Sequence, residues 1–582
     1  MNTIPLLFYK NAETYSSQIL FGYKNDKKWN HLTWKQSKNL VINLSFGLSE
    51  AGVKRNEKIS IISENSYEWC IADLAINSIG CITVPGYTTS NEEELYHLLS
   101  HSETSFIFTN TKLLPTILNV ASKLKKIKSI ICFDNVNSTY LPTKPIKILN
   151  FKDIIKIGSS HSLKKDFVNL YLNKLNPEDV ACLIYTSGTS DLPKGVLLTH
   201  KSIISNITGV QKLIQDINVK HHRFLSILPL SHAYEHTAGF LLPLLIGAEI
   251  HFNENRDHIV NDLISVKPTL MIAVPRLYDV LYKKINIQLL SQNKVSQKLF
   301  LKAVELGTKK FQNLYLTPLE KIMNLFLTFI VRKKIKKKFG GKLKTFISGG
   351  AALNIQVGLF FNALGINILQ GYGQTECSPL ISANPLNKVK LESVGTAIQG
   401  LEVKLSKDNE ILVKGNSVMK GYWKDSDSTN KAIKNGWLHT GDLGFIDKDN
   451  YIQITGRSNE MIVNSGGENI APVPIESLLM NYEEVEQILV YGHNKPYLIA
   501  VIVPNDKLLK KSNDKIFNLN DIFYEIINRA NANLSQSKKL RKFILLKEGF
   551  TIENKQLTPT LKIKRHVIIK KFKDEINNLY GI

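Results

Sequence analysis

Along the first third of the chain, apolar and polar positions change period repeatedly. Short apolar runs at 58–62 and 81–84 predict strands, and the segments 69–78 and 92–100 carry helix-like spacing. Strand and helix taken in turn predict parallel sheets covered by helices, an α/β fold. Further apolar strands are predicted at 224–228, 270–274, 345–347 and 367–369, each running into a glycine, proline or polar turn. Ligands of such sheets sit at strand ends.

From about residue 393 the pattern shortens. Brief strands at 403–405, 410–413 and 451–454, separated by Asp, Asn, Lys and Gly, predict a small β-rich subdomain over about 393–455. A mixed α/β tail follows, with strands at 487–491 and 498–503 and a helix over 520–533. The predicted organisation is a large N-terminal domain, 1–455, and a smaller α+β domain, 456–582. One helix stands apart: Thr317 and Glu320 make a capping-box pattern around Pro318, and Ile322, Leu325, Phe326, Phe329 and Ile330 then share a face. Arg332, Lys333, Lys334, Lys336, Lys337 and Lys338 follow it. Such a stripe can rest on an anionic membrane, but a core helix with a solvated end is the plainer expectation.

Composition narrows the class. A chain of 582 residues with 43% hydrophobic content has enough apolar material for several cores. Cys70, Cys81, Cys132, Cys182 and Cys377 lack metal-like or paired spacing and read as core filler, which fits a reducing, cytoplasmic setting. No secretory leader is evident at the N-terminus, and no window is apolar enough to span a bilayer. The formal charge of +24 is spread over the chain rather than gathered in one patch, so no nucleic-acid partner is expected.

The chemistry lies in a few loops. The stretch 183–200, LIYTSGTSDLPKGVLLTH, sets small hydroxyl residues and glycines between two strand-like runs. Thr186, Ser187, Thr189 and Ser190 offer hydroxyls, Gly188 and Gly195 allow close backbone approach, and Lys194 adds positive charge, as a polyphosphate requires. It is not the ordinary P-loop, which needs glycine directly before the lysine and Ser or Thr directly after it. At 348–353, SGGAAL brings Gly350 and Ala351 where a flat base can lie against backbone. GYGQTE at 371–376 follows, with Gly371, Tyr372 and Gly373 as a stacking site, Thr375 a phosphate donor and Glu376 an oxygen ligand for Mg2+. HTGDLG supplies Asp442, suited to accept from both ribose hydroxyls, and GRSNEMI supplies Arg457.

In this order the motifs resemble those of the acyl-adenylate-forming superfamily of acyl-CoA synthetases, luciferases and non-ribosomal adenylation domains, over essentially the whole chain. SENSYEW, TVPGYTTS, LPLSHAYE, VPRLYD and LTPTLKIKR are most similar to the long-chain fatty acyl-CoA synthetase branch. The resemblance implies that a fatty acid attacks ATP to give acyl-AMP and pyrophosphate, after which coenzyme A displaces AMP. Both steps call for offset charge rather than a protein nucleophile.

By the same resemblance, Lys562 and Glu376 serve adenylation, with Lys564 the fallback lysine. The C-terminal domain is a mobile lid, hinged at Asn459, and Gly466 and Gly467 help form the pantetheine tunnel. His232 lies near the acyl pocket. The family loop carries glycine where Asp191 stands, which implies weaker ATP binding unless that carboxylate points away. Two other readings share these motifs: a fatty acyl-AMP ligase that loads a carrier protein, and a non-catalytic acyl- or nucleotide-binding protein. Peripheral contact with the cytoplasmic membrane face is compatible with the basic helix, and the sequence does not specify an oligomeric state.

Overall fold

In a computed structural model the described residues are 2–136, 146–186, 193–215, 217, 219, 221–254, 258–511, 518–558 and 563–581. Ser187, Gly188, Thr189, Ser190, Asp191 and Lys562 lie outside them. Contacts divide the chain into two compact units, one of Met1–Val403, Val413–Leu438 and Lys448–Ile452, the other of Lys404–Leu412, His439–Asp447 and Gln453–Ile582.

The first unit holds two large sheets. In one, Lys58–Ile62 is flanked by parallel strands Ile82–Pro85 and Phe106–Thr109, and the ladder continues through Ser129–Cys132 to Lys147–Asn150. On its other side Val180–Thr186 runs parallel to Ile82–Pro85 and returns antiparallel as Lys194–Thr199. The second sheet carries Glu249–Phe252, Arg223–Ser226, Leu270–Ala273, Thr345–Ser348 and Asn367–Gly373 in parallel, then Leu380–Ala383 and Thr396–Ala397 antiparallel. Phe106–Thr109 and Thr345–Ser348 are buried throughout, as expected of parallel strands covered on both faces. Asn367–Gly373 extends beyond the predicted strand, so Gly371, Tyr372 and Gly373 are its end and not a free loop.

The second unit is built on Val485–Tyr491, Leu498–Pro504 and Leu540–Leu545. Alternate side chains of the middle strand enter different cores. Leu498, Ala500 and Ile502 pack with Ile475, Leu479, Phe523 and Ile526 from helices Pro472–Leu479 and Leu519–Asn531, while Ile499, Val501 and Val503 pack with Ile568 and Ile576 from Arg565–Lys571 and Lys573–Tyr580. The short strands Leu401–Leu405, Glu410–Gly415, Ile433–Lys434, Trp437–Ile446 and Ile452–Arg457 form a further sheet.

The helix after Thr317 corrects one expectation. The capping box forms, with Thr317 and Glu320 each accepting from the other's backbone N–H. The predicted stripe is not in the core: Ile322, Leu325, Phe326, Phe329 and Ile330 are all exposed, and Leu327, Val331 and Ile335 face inward instead. Arg332 is not part of the solvated basic end either, being 6% exposed. All five cysteines are buried and unpaired. Among the described residues, no helix is long and apolar enough to cross a membrane.

Candidate active site

Strand Val180–Thr186 delivers Thr186 to the start of the hydroxyl loop, and Lys194 stands opposite it at the start of the return strand. Helix Glu92–His101 braces both ends. His97 Nε2 donates to Pro193 O at 3.0 Å, and His101 Nδ1 is 2.8 Å from the Tyr185 hydroxyl. The ammonium of Lys194 donates to Ser428 Oγ, lies 3.7 Å from Asp425, and sits 5.3 Å from the centre of the Tyr422 ring. Hydrogen bonds from Ser428, with Lys194 nearby, hold the Asp425 carboxyl below its ordinary range.

Tyr422 links this lysine to the second motif. Gly421–Tyr422 adds an antiparallel edge to Lys194–Thr199, with Tyr422 opposite Val196. Its hydroxyl donates to Glu376 Oε1 at 2.9 Å. Burial, reinforced by the Glu376 charge, pushes the phenol further up from its ordinary pKa, so it remains a donor. Glu376 sits in the Thr375–Cys377 turn, which is held from two sides. Met419 N donates to Glu376 O at 2.9 Å, and Asn206 Nδ2 donates to the carbonyls of Cys377 and Leu380 at 3.0 and 2.8 Å. Gly373 is required here, because a Cβ would fall 2.0 Å from Pro379 O.

Next to Asn367–Gly373, the parallel strand Thr345–Ser348 ends in Gly349 and Gly350. Gly350 has φ +84°, a left-handed value that favours glycine, and Ala351 follows it on the surface. Gln370 shapes the turn by accepting from Leu353 N at 2.7 Å and donating to Ser393 O at 3.1 Å. Tyr234 and Tyr278 both donate to Ile347 O, at 3.1 and 2.8 Å. Tyr372 is half-buried on its strand.

His232 accepts at Nδ1 from Tyr234 N at 3.1 Å and is half-buried. The π-helix Glu235–Leu241 follows, and its side chains Thr237 and Ala238 line an apolar cavity with Tyr234, Val210, Ile347 and Leu369. His232 is not one of the cavity's lining residues. Between Tyr234 and Thr237 in the chain stand two buried polar residues, Glu235 and His236, to which the sequence alone assigns no role. Glu235 accepts from Ser226 Oγ at 2.6 Å, and His236 Nε2 is 3.2 Å from Asp73 Oδ2. Burial raises the Glu235 pKa to about 8. Asn65, in the SENSYEW run, pins the loop by donating to Ser226 Oγ and Leu228 O and accepting from Leu230 N.

In the second unit Asp442 and Arg457 form a pair, with Arg457 Nε 3.0 Å from Asp442 Oδ1. Asp442 is nearly fully buried, and its N–H donates to Thr440 Oγ1 at 3.1 Å. Asn459 is exposed in the single turn Ser458–Glu460 that follows Ile452–Arg457. Gly466 and Gly467 are exposed in the turn between Ile462–Val463 and Asn469–Ile470, where Asn464 Oδ1 accepts from Gly466 N and Glu468 N at 2.9 Å. Arg565, next to the lysine-rich KIK run, forms a bidentate pair with Glu476.

Tyr422 and Asn206 lie outside every motif, and Glu235, though it ends the LPLSHAYE run, is given no role by it. An isolated Tyr or Asn has no pattern of its own, and only the GYW run at 421–423 hints at the first of them.

Among curated proteins, the long-chain-fatty-acid–CoA ligase FadD15 of Mycobacterium bovis is 29% identical over 100% of this chain and 97% of its own length. The chloroplastic long-chain-fatty-acid–[acyl-carrier-protein] ligase AEE15 of Arabidopsis thaliana is 28% identical over 99% of this chain and 86% of its own length. Among solved structures, O-succinylbenzoate coenzyme A synthetase (MenE) of Bacillus subtilis, in complex with ATP and magnesium, shares the fold. It matches with a TM-score of 0.69 and 18% identity, over 96% of this chain and 98% of that one. The profile of the AMP-binding enzymes matches residues 8–423 and that of their C-terminal domain matches 459–581, so the chain belongs to the AMP-binding enzyme family.

Proposed function

We propose that this protein is an AMP-forming acid–thiol ligase that joins a long-chain fatty acid to coenzyme A through an acyl-AMP intermediate, releasing AMP and pyrophosphate. The observation that carries the adenylating half is the chain of contacts from Lys194 through Tyr422 to Glu376. It joins a cation at the hydroxyl loop to a carboxylate at the end of a parallel strand, the two charges that in-line attack of one anion on another requires. The names of full-length relatives such as FadD15 support the acid and the thiol.

Thr186, Ser187, Gly188, Thr189 and Lys194 cradle the β- and γ-phosphates. Gly350, Ala351, Gly371, Tyr372 and Gly373 bracket the adenine, while Asp442 and Arg457 hold the ribose. The fatty acyl chain packs along the apolar segment 224–245 that contains Tyr234, with His232 near the carboxylate. Lys562 offsets charge on the attacking carboxylate and the α-phosphate, Asn459 is the hinge, and Gly466 and Gly467 border the pantetheine.

The donor set fits Mg2+. Among the described residues, no three His, Cys, Asp or Glu side chains gather to enclose a metal. Glu376, with the neighbouring Thr375 hydroxyl, offers the one or two oxygens that Mg2+ takes from a protein when phosphates and water fill the rest. Bound there, the ion would neutralise phosphate charge.

The test is AMP release from ATP across fatty acids of increasing length, with and without coenzyme A. Release that depends on coenzyme A and favours long chains supports the reading; release without coenzyme A, or only with aromatic acids, defeats it. The AEE15 likeness supports a second reading, in which a carrier protein accepts the acyl group. Running the assay with holo-acyl carrier protein in place of coenzyme A separates the two.

A further inference from the structure

We propose that the outward face of helix Pro318–Leu327, its continuation through Arg332, and the lysines that follow dock this protein on an anionic lipid surface. The proposal goes beyond the ligase reading, since it concerns a surface with no part in the chemistry.

The helix has two apolar faces. Leu327, Val331 and Ile335 enter the core, while Leu319, Ile322, Met323 and Phe326 point outward at helical spacing, followed by Phe329 and Ile330. Leu319 is 80% exposed, Ile322 68% and Phe329 64%. Exposed apolar residues standing singly need no explanation, but six on one ridge do. Nor can the ridge turn inward. The buried Arg332 guanidinium donates to the carbonyls of Ala303, Asn324 and Ala363 at 2.7, 3.0 and 2.8 Å, clamping the helix in its present rotation.

Charge selects the occupant. From Lys321 to Thr375 the sequence contains no Asp or Glu, and Lys321, Lys333, Lys334, Lys337 and Lys338 are exposed. A protein partner fits poorly, because lysine is depleted from interface cores. A second copy related by a two-fold axis would set the same lysines against one another. Aromatic and aliphatic side chains beside a lysine cluster are what an amphipathic helix presents to anionic headgroups and the acyl boundary beneath them.

The test is co-sedimentation of the full chain with vesicles of phosphatidylcholine plus phosphatidylglycerol, against phosphatidylcholine alone, without ATP or fatty acid. The wild type should bind the anionic vesicles and release as salt rises. A triple variant, Ile322→Ser with Phe326→Ser and Phe329→Ser, should bind at least about tenfold more weakly. So should a quadruple variant, Lys333→Gln with Lys334→Gln, Lys337→Gln and Lys338→Gln. Both should keep wild-type turnover on a soluble acid, which also reports that they fold. Absence of wild-type binding, undiminished binding by both variants, or a wild-type dimer that the triple variant makes monomeric would overturn the proposal. Binding is read without turnover, so its failure leaves the ligase reading untouched.

Discussion

The Tyr422 hydroxyl donates to Glu376 Oε1 at 2.9 Å while the Tyr422 ring lies 5.3 Å from Lys194 Nζ, so one aromatic side chain spans two motifs more than 180 residues apart. A hydrogen bond to a carboxylate contributes about 1.5–3 kcal/mol. Tyr422→Phe keeps the ring under Lys194 and removes only that bond. It should slow acyl-AMP formation by roughly 10- to 100-fold, measured as pyrophosphate exchange. Glu376→Gln should cost more, and adding Tyr422→Phe to it should cost little further, because the two act through one carboxylate. Full additivity in the double variant would mean that Tyr422 does not work through Glu376.

The two half-reactions allow Lys562 to be tested separately. Lys562→Ala should lower adenylate formation by about 10²–10³-fold, the scale of losing one charge-stabilising group. Thioester formation from supplied acyl-AMP should be spared, since that step breaks the bond to the acyl carbon and no anion attacks the α-phosphorus. Equal loss in both half-reactions would move the role to another residue, Lys564 first.

How much of this site can be read from the sequence follows from what makes a pattern. Asp442 and Arg457 lie in glycine-marked motifs, HTGDLG and ITGRSN, and the fold brings them into a 3.0 Å pair. Gly350 shows itself because its left-handed φ demands glycine. Tyr422, by contrast, reaches Glu376 only through an edge pairing of two residues against Lys194–Thr199, a long-range contact that no local periodicity encodes. The helix after Thr317 misled for a different reason. Both of its faces are apolar, and spacing alone does not say which one the core takes. Arg332 was hidden in the same way, since a basic run gives no sign of which member turns inward.

That buried arginine gives a stability prediction. Arg332 is the hydrogen-bond donor for three main-chain carbonyls and for the side chains of Asn324 and Thr328. Arg332→Ala leaves buried acceptors unmet and should destabilise the first unit by about 3 kcal/mol or more. Lys333→Ala and Lys334→Ala, one and two positions on and exposed, should each change it by less than about 0.5 kcal/mol. Calorimetric unfolding of the three variants distinguishes the clamp from its solvated neighbours.

Glu235 should make stability depend on pH. It is fully buried, with Ser226 Oγ donating to Oε1 and no partner for Oε2, and Gly239 packs so closely that a Cβ there would lie 2.5 Å from the carboxyl. Burial lifts its pKa from the ordinary 4.5 to about 8. Between these values the folded chain holds a proton that the unfolded chain has lost, so stability falls as pH rises through the window and levels off above about 8. The full span is at most about 5 kcal/mol, at 1.36 kcal/mol per pH unit. Glu235→Gln stays neutral and keeps the acceptor for Ser226. Its thermal midpoint should therefore exceed that of the wild type at pH 8, with the gap closing toward pH 5. A gap that is constant across the range would show that Glu235 ionises alike in the folded and unfolded chains.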